Sequence, residues 1–183
     1  GNSGSGKTTL LSLLSGLDKP TSGRVFLQDK DITDTSEDDL AQLRKDMIGF
    51  VFQSFHLIPS LTALENIMFP AELKHDPAAR EKAKHLLQRM GLDKRSTNFP
   101  HQLSGGEMQR VAMCRALINN PKIIFADEPT GNLDSENGHA ILELLLDYQK
   151  ESRTTLVLVT HSINIAKMAD RMIFLQDGRI TSG

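Results

Sequence analysis

The chain opens with Gly1, Asn2, Ser3, Gly4, Ser5, Gly6, Lys7, Thr8 and Thr9, and Gly1, Gly6, Lys7 and Thr8 fit the phosphate-binding pattern G-x-x-x-x-G-K-[ST]. That pattern carries weight only where a strand runs into it and a helix runs out. The helix is legible: "TTLLSLLSGL" (8–17) has apolar residues at helical spacing, with Gly16 and Pro20 as stop signals. The sequence begins at Gly1, so the feeding strand is expected upstream and the chain is read as a fragment. A sheet lacking that strand exposes backbone groups, and the isolated 183 residues are expected to be aggregation-prone and poorly active.

A second run decides whether the loop is chance. "KIIFADEPTGNLD" (122–134) sets a short apolar strand before Asp127 and Glu128. In a parallel sheet, ligand chemistry gathers beyond the carboxyl ends of the strands. Asp127 is therefore expected beside the loop, suited to hold Mg²⁺ through water, because Mg²⁺ takes oxygen ligands and keeps part of its hydration shell. Glu128, one residue on, can reach the water that attacks a γ-phosphate. Acids at strand ends are common, and glycine runs can be mere turns. Their joint appearance in this order points to a nucleotide site.

Both groups need a scaffold, and the hydrophobic periods supply one. "SGRVFLQDKDI" (22–32) predicts a short antiparallel strand and turn, "SEDDLAQLRKDM" (36–47) a helix opening at Ser36 with acids in its first turn, and "IGFVFQ" (48–53) a buried strand ending at Gln53. "LTALENIMFPAEL" and "DPAAREKAKHLLQRMGL" read as amphipathic helices, the second bounded by Pro77 and Gly91. They form a helical insertion from about 60 to about 98, within a helical subdomain of about 60–118 once the next helix, in 103–119, is counted. Strand 122–127, helix 136–150, strand 155–160, helix 162–169 and a hairpin around "QDGR" complete the series. Strands alternating with helices predict an α/β fold with a parallel sheet covered on both faces.

Bulk properties agree with one globular domain: 39% of residues are hydrophobic and 24% charged. The formal net charge is −2 with Lys and Arg scattered among acids, which argues against a nucleic-acid partner, since counterion release needs a concentrated basic face. The single cysteine, Cys114 in "VAMCRAL", fits a reducing compartment and a small buried side chain. No stretch reaches the ~18 apolar residues that span a bilayer, and the chain reads as cytosolic.

"LSGGE" (103–107), just ahead of the Asp127 strand, adds a second anion cradle: Ser104, Gly105 and Gly106 stand at a helix start, where free N–H groups and the dipole favour negative charge. With "GNSGSGKTT", Gln53, "IIFADEPTGNLD" and His161, in this order along essentially the whole chain, it resembles the ATP-binding subunit of ABC transporters. The resemblance implies a P-loop nucleotide-hydrolase fold and ATP with Mg²⁺ as its ligands. It also implies a head-to-tail dimer of two copies, each signature closing over ATP held by the other. By the same resemblance the backbone from Gly4 to Thr8 wraps the β-phosphate, Lys7 reaches the β- and γ-phosphates, and Thr8 binds Mg²⁺. Gln53 touches Mg²⁺ and the attacking water and senses a membrane partner, while Asp127 is the metal-side carboxylate and Glu128 the general base. Asp134 crosses the dimer interface, and His161 contacts the γ-phosphate.

Two departures stand out. Met108 replaces the Gln or Arg of many relatives, and the adenine-stacking aromatic of the family belongs upstream of the loop. "FHLIPSLTALENIMFPAEL", Glu107 and "ADEPTGNLDS" resemble the lipoprotein-release and macrolide-export branch. That branch implies an integral membrane permease partner and a cytoplasmic place for this subunit, peripheral on the inner face of the cell membrane, with section 60–98 helping to receive the permease's coupling helix. Two other readings stay open. One is a soluble ABC-type ATPase of DNA repair or translation, although no long coiled-coil or zinc insertion or second cassette is seen. The other is a cell-division type that signals through its membrane partner without transport.

Overall fold

The computed structural model describes residues 4–181. Helix α1 (Lys7–Leu14) is followed by the strand pair β1 (Phe26–Leu27) and β2 (Lys30–Asp31), then by α2 (Glu37–Met47) and β3 (Ile48–Phe52). Helices α3 (Ala63–Glu72), α4 (Ala79–Arg89) and α5 (Gly105–Leu117) lead to β4 (Ile123–Asp127). Helix α6 (Ser135–Ser152), β5 (Thr155–Val159), the short α7 (Ile163–Ala166) and the antiparallel pair β6 (Phe174–Gln176) and β7 (Arg179–Thr181) complete the order.

β3, β4 and β5 form a parallel sheet in that order, with Phe52 paired to Asp127 and Asp127 to Val159. Because side chains alternate along a strand, β4 divides its residues between two cores. Ile124 and Ala126 join a cluster with residues of α3, α4, α5 and α6. Phe125, with Ile123 beside it, joins Leu11 of α1 and Leu40 and Leu43 of α2 on the other face. The sheet is thus covered on both sides, as the alternation of strands and helices predicts. Asp127 has the parity of Ile123 and Phe125, which aims it at the α1 face.

Helix boundaries follow local chemistry. Thr62, Ser104 and Asp134 cap α3, α5 and α6 through their side-chain oxygens, each accepting an N–H three residues on. Gly91, at φ 66°, turns the chain out of α4 as expected. Strand β3 stops at Phe52, which leaves Gln53 as the first residue beyond the sheet. Helix α7 covers four residues where 162–169 was expected, and none of them is buried. With no fully buried residue a short helix has little to hold it. Helix α6 runs on to Ser152 and closes on Arg153 in a left-handed conformation that nothing in the sequence announces.

The α5–β3 packing depends on an absent methyl group. A Cβ on Gly49 would lie 2.5 Å from the Ala116 carbonyl oxygen and 3.1 Å from Pro121 Cγ. Gly49→Ala must push α5 off the sheet, and it is expected to cost about 1–3 kcal/mol of stability. The lowered midpoint should be seen in a urea titration, and an unchanged midpoint would mean that α5 yields freely.

Candidate active site

Gly1, Asn2 and Ser3 lie outside the described residues; the rest of the loop has the shape its glycines allow. Gly4 and Gly6 take φ of 79° and 91°, and Gly6 is the N-cap of α1 without any side-chain cap. No acid stands in the first turn of α1, so no carboxylate there offsets the positive end of the helix. Ser5 is buried, and its carbonyl accepts the Gly178 N–H from the β6–β7 turn at 3.1 Å, which anchors the loop from outside. Lys7 Nζ lies 3.5 Å from Ser5 Oγ, and Thr9 is exposed on the helix.

The parity of β4 brings its terminal acid to α1. Thr8 Oγ1 donates to Asp127 Oδ2 at 2.9 Å, joining residues 119 positions apart. Asp127 Oδ1 is buried and has no partner among the described residues. An orphaned carboxylate oxygen is costly unless something completes it. A hydroxyl paired with a half-satisfied carboxylate is the donor set a hydrated Mg²⁺ takes, so these residues fit the ion.

Glu128 follows in a left-handed conformation, φ 46°. Such strain in a non-glycine residue costs about 1–3 kcal/mol and needs surrounding structure to hold it. Here the Glu128 N–H donates to Val159 O at 3.0 Å, and Glu128 O accepts the Gly131 N–H at 2.9 Å. The turned backbone presents the carboxylate to His161, whose Nδ1 lies 2.8 Å from Glu128 Oε2. An imidazole protonated on Nδ1 donates this bond and fixes the carboxylate, leaving Nε2 for another group.

Gln53 turns toward a neighbouring loop. Its Nε2 donates to Asn132 Oδ1 at 3.0 Å, and Asn132 Nδ2 donates back to the Gln53 carbonyl at 3.0 Å. The side chain crosses Gly131 so closely that a Cβ there would stand 2.7 Å from Gln53 Nε2. The "GNLD" run therefore meets Gln53 directly. Asp134 caps α6 from the same run: its carboxyl is held below the usual range by the Asn137 N–H and then by the Asn137 side-chain amide.

Ser104, Gly105 and Gly106 form the start of α5 against that segment. A Cβ on Gly106 would meet Asn137 Oδ1 at 3.0 Å, and one on Gly105 would touch Leu133. Gln109, fully buried, donates to the Pro129 carbonyl at 2.7 Å and ties the same helix to the turn after Glu128. Several positioning residues carry no motif. Arg115 donates to the carbonyls of Phe55 and His56, two consecutive left-handed residues just past Gln53. Asn66, fully buried, takes the Ile58 N–H on Oδ1 and gives Nδ2 to the carbonyls of Ile58, Leu61 and Thr62. The only available signal was polarity at core positions of helical patterns, which does not name a partner. Cys114 is buried as expected, and burial pushes its thiol up to about 12.

A glycine loop opening a helix, with an Asp-Glu pair at the end of a parallel strand beside it, defines a P-loop nucleotide hydrolase. The chain belongs to the ABC transporter family, whose description matches residues 1–131. Among its relatives, the lipoprotein-releasing system ATP-binding protein LolD of Idiomarina loihiensis is 47% identical over 97% of this chain and 79% of its own length. The macrolide export ATP-binding/permease protein MacB of Syntrophobacter fumaroxidans is 48% identical over 98% of this chain and 26% of its own length. A solved dimeric, post-hydrolysis structure of the ATP-binding cassette MJ0796, bound to ADP and Pi, superposes with TM-score 0.91 at 45% identity. It covers 99% of this chain and 81% of that one. The chain is an ATPase, the ATP-binding subunit of an ABC transporter.

Proposed function

We propose that this subunit powers a membrane permease for export or lipoprotein release, through ATP-driven head-to-tail pairing of two copies on the cytoplasmic face of the membrane. The observation that carries the reading is the separation of parts: metal-side and water-side pairs converge at the end of β4, while a second anion-ready helix start stands at Ser104. One triphosphate needs only one cradle, so the second serves the partner copy's nucleotide. The LolD and MacB likeness supports the permease partner, whose coupling helix the section of about 60–98, within the helical subdomain of about 60–118, helps to receive. No nucleic acid enters the cycle. Among the described residues, no helix is long and apolar enough to cross a membrane.

Residues 1–9 bind the phosphates, with Lys7 opposite the β- and γ-oxygens. Thr8, Asp127 and Gln53 would hold Mg²⁺, which when bound neutralises phosphate charge. Gln53 is freed for that task when its exchange with Asn132 opens. Glu128 takes the proton of the attacking water, and His161 orients Glu128 through Nδ1 and offers Nε2 toward the γ-phosphate. Asp134, at the start of α6, faces the partner copy.

Mixing two inactive variants tests the pairing. Lys7→Ala removes the loop's charge and Ser104→Arg blocks the signature, so each alone should hydrolyse little ATP. A mixed pair rebuilds one complete site, from the loop of one copy and the signature of the other. Phosphate release should therefore reappear on mixing. If mixed samples stay as inactive as the separate ones, the sites are not shared between copies.

A further inference from the structure

Arg95 belongs to none of the motifs. It ends the short turn Asp93–Arg95 after α4, yet its Nε donates to Glu107 Oε1 at 2.7 Å. Glu107 is the third residue of α5. Its other oxygen, Oε2, accepts the Ser104 N–H at 2.8 Å, and Ser104 Oγ accepts the Glu107 N–H at 3.3 Å. This reciprocal box sets the conformation of the signature, but it has an electrostatic cost. A carboxylate in the first turn opposes the positive helix end on which the signature's anion binding depends. The Glu107 side chain is only 17% exposed, so solvent screens it incompletely. The Ser104 N–H, then Arg95, hold its carboxyl below the usual range, which keeps it charged at neutral pH.

We infer that Arg95 is a positioning residue for the signature: it neutralises Glu107, so that Ser104, Gly105 and Gly106 can receive the partner copy's triphosphate. One oxygen of the carboxylate orders the cradle while Arg95 removes the repulsion through the other. The contact to ATP stays with residues 104–106, and Arg95 acts only through Glu107. The inference rests on the head-to-tail pairing proposed above.

The test uses the intact protein carrying Glu128→Gln, with ATP-induced dimerisation followed by light scattering across protein concentration. Arg95→Ala should weaken the dimer about tenfold or more, the scale of one partly screened charge pair, and more steeply at low salt. ATP binding to the dilute monomer, read by calorimetry, should not change. Arg95→Lys, which keeps the charge, should recover part of the loss and serves as the readout if Arg95→Ala folds poorly.

The deciding comparison repeats Arg95→Ala on Glu107→Gln, whose amide oxygen can still accept the Ser104 N–H without a charge. Measured against its own Glu107→Gln parent, Arg95→Ala should then change the dimer constant by less than about twofold. An equal loss in both backgrounds makes Arg95 a structural residue and overturns the inference, as does no loss with Glu107 present. If the parent fails to pair with ATP at all, the head-to-tail reading falls and the inference with it. If the parent pairs and only the Arg95 effect is missing, the inference falls alone.

Discussion

Glu128→Gln is expected to lower ATP turnover by about 10²–10⁴-fold, the range a positioned general base supplies, while ATP binding persists and paired copies accumulate. The amide has the volume of the carboxylate and can still accept a hydrogen bond from His161 Nδ1, so the bond at 2.8 Å need not be lost. The backbone bonds that hold residue 128 at φ 46° involve no side-chain atom and stay in place. What disappears is the capacity to take a proton. Asp127 cannot stand in, because one of its oxygens is engaged by the Thr8 hydroxyl and the other is buried. The consequence separates two measurements. Phosphate release should collapse, and the ATP retained per subunit, counted by rapid filtration, should rise because the step that dissolves the pair is blocked. Turnover within about tenfold of the parent would remove Glu128 from its role, since no other observed interaction could have supplied the missing base.

How far this site could be read in the sequence depends on whether a residue acts through its chain neighbours or across space. Asp127 was legible because a strand's period of two and its direction fix both the face and the end at which a side chain emerges. The Thr8–Asp127 bond follows from that parity. The helix starts at Ser36 and Ser104 were equally local, and so was the turn at Gly91. The strand was expected to end at Gln53, but β3 stops one residue earlier, at Phe52, and the exchange of Gln53 with Asn132 follows from no spacing or residue type. Nothing in the type or spacing of Asn132 names Gln53 as its partner, and the glycine beside it matters through an absent Cβ. Arg115 and Asn66 were invisible for a related reason. They bind backbone carbonyls, which every residue carries, so no spacing or residue type marks the partner. Helix α7 was overestimated because periodicity reports amphipathic potential, and residues 167–169 find no apolar surface to spend it on.

Lys7→Ala separates binding from folding in a way few substitutions here can. Lys7 is the first residue of α1, where a positive side chain opposes the helix dipole. That repulsion is set against its contact with Ser5 Oγ at 3.5 Å, so removing Lys7 should change the stability of the nucleotide-free fold by no more than about 1 kcal/mol, the usual scale of a charge at a helix end. The same substitution deletes a charge-assisted contact to phosphate, and the dissociation constant for ATP should rise roughly 10–100-fold. Linkage joins the two effects in one experiment. At ATP held near 100 times the parent's dissociation constant, binding raises the parent's stability by about 2.7 kcal/mol. A variant weakened about 100-fold gains only about 0.4 kcal/mol at that concentration, by the same relation. Thermal melts should therefore separate only with nucleotide: without ATP the variant melts close to the parent, and with ATP it melts well below. Equal ATP-induced shifts in both proteins would show that Lys7 does not touch the phosphates. A variant that already melts as far below the parent without ATP as with it would instead mean that Lys7 serves the fold and not the nucleotide.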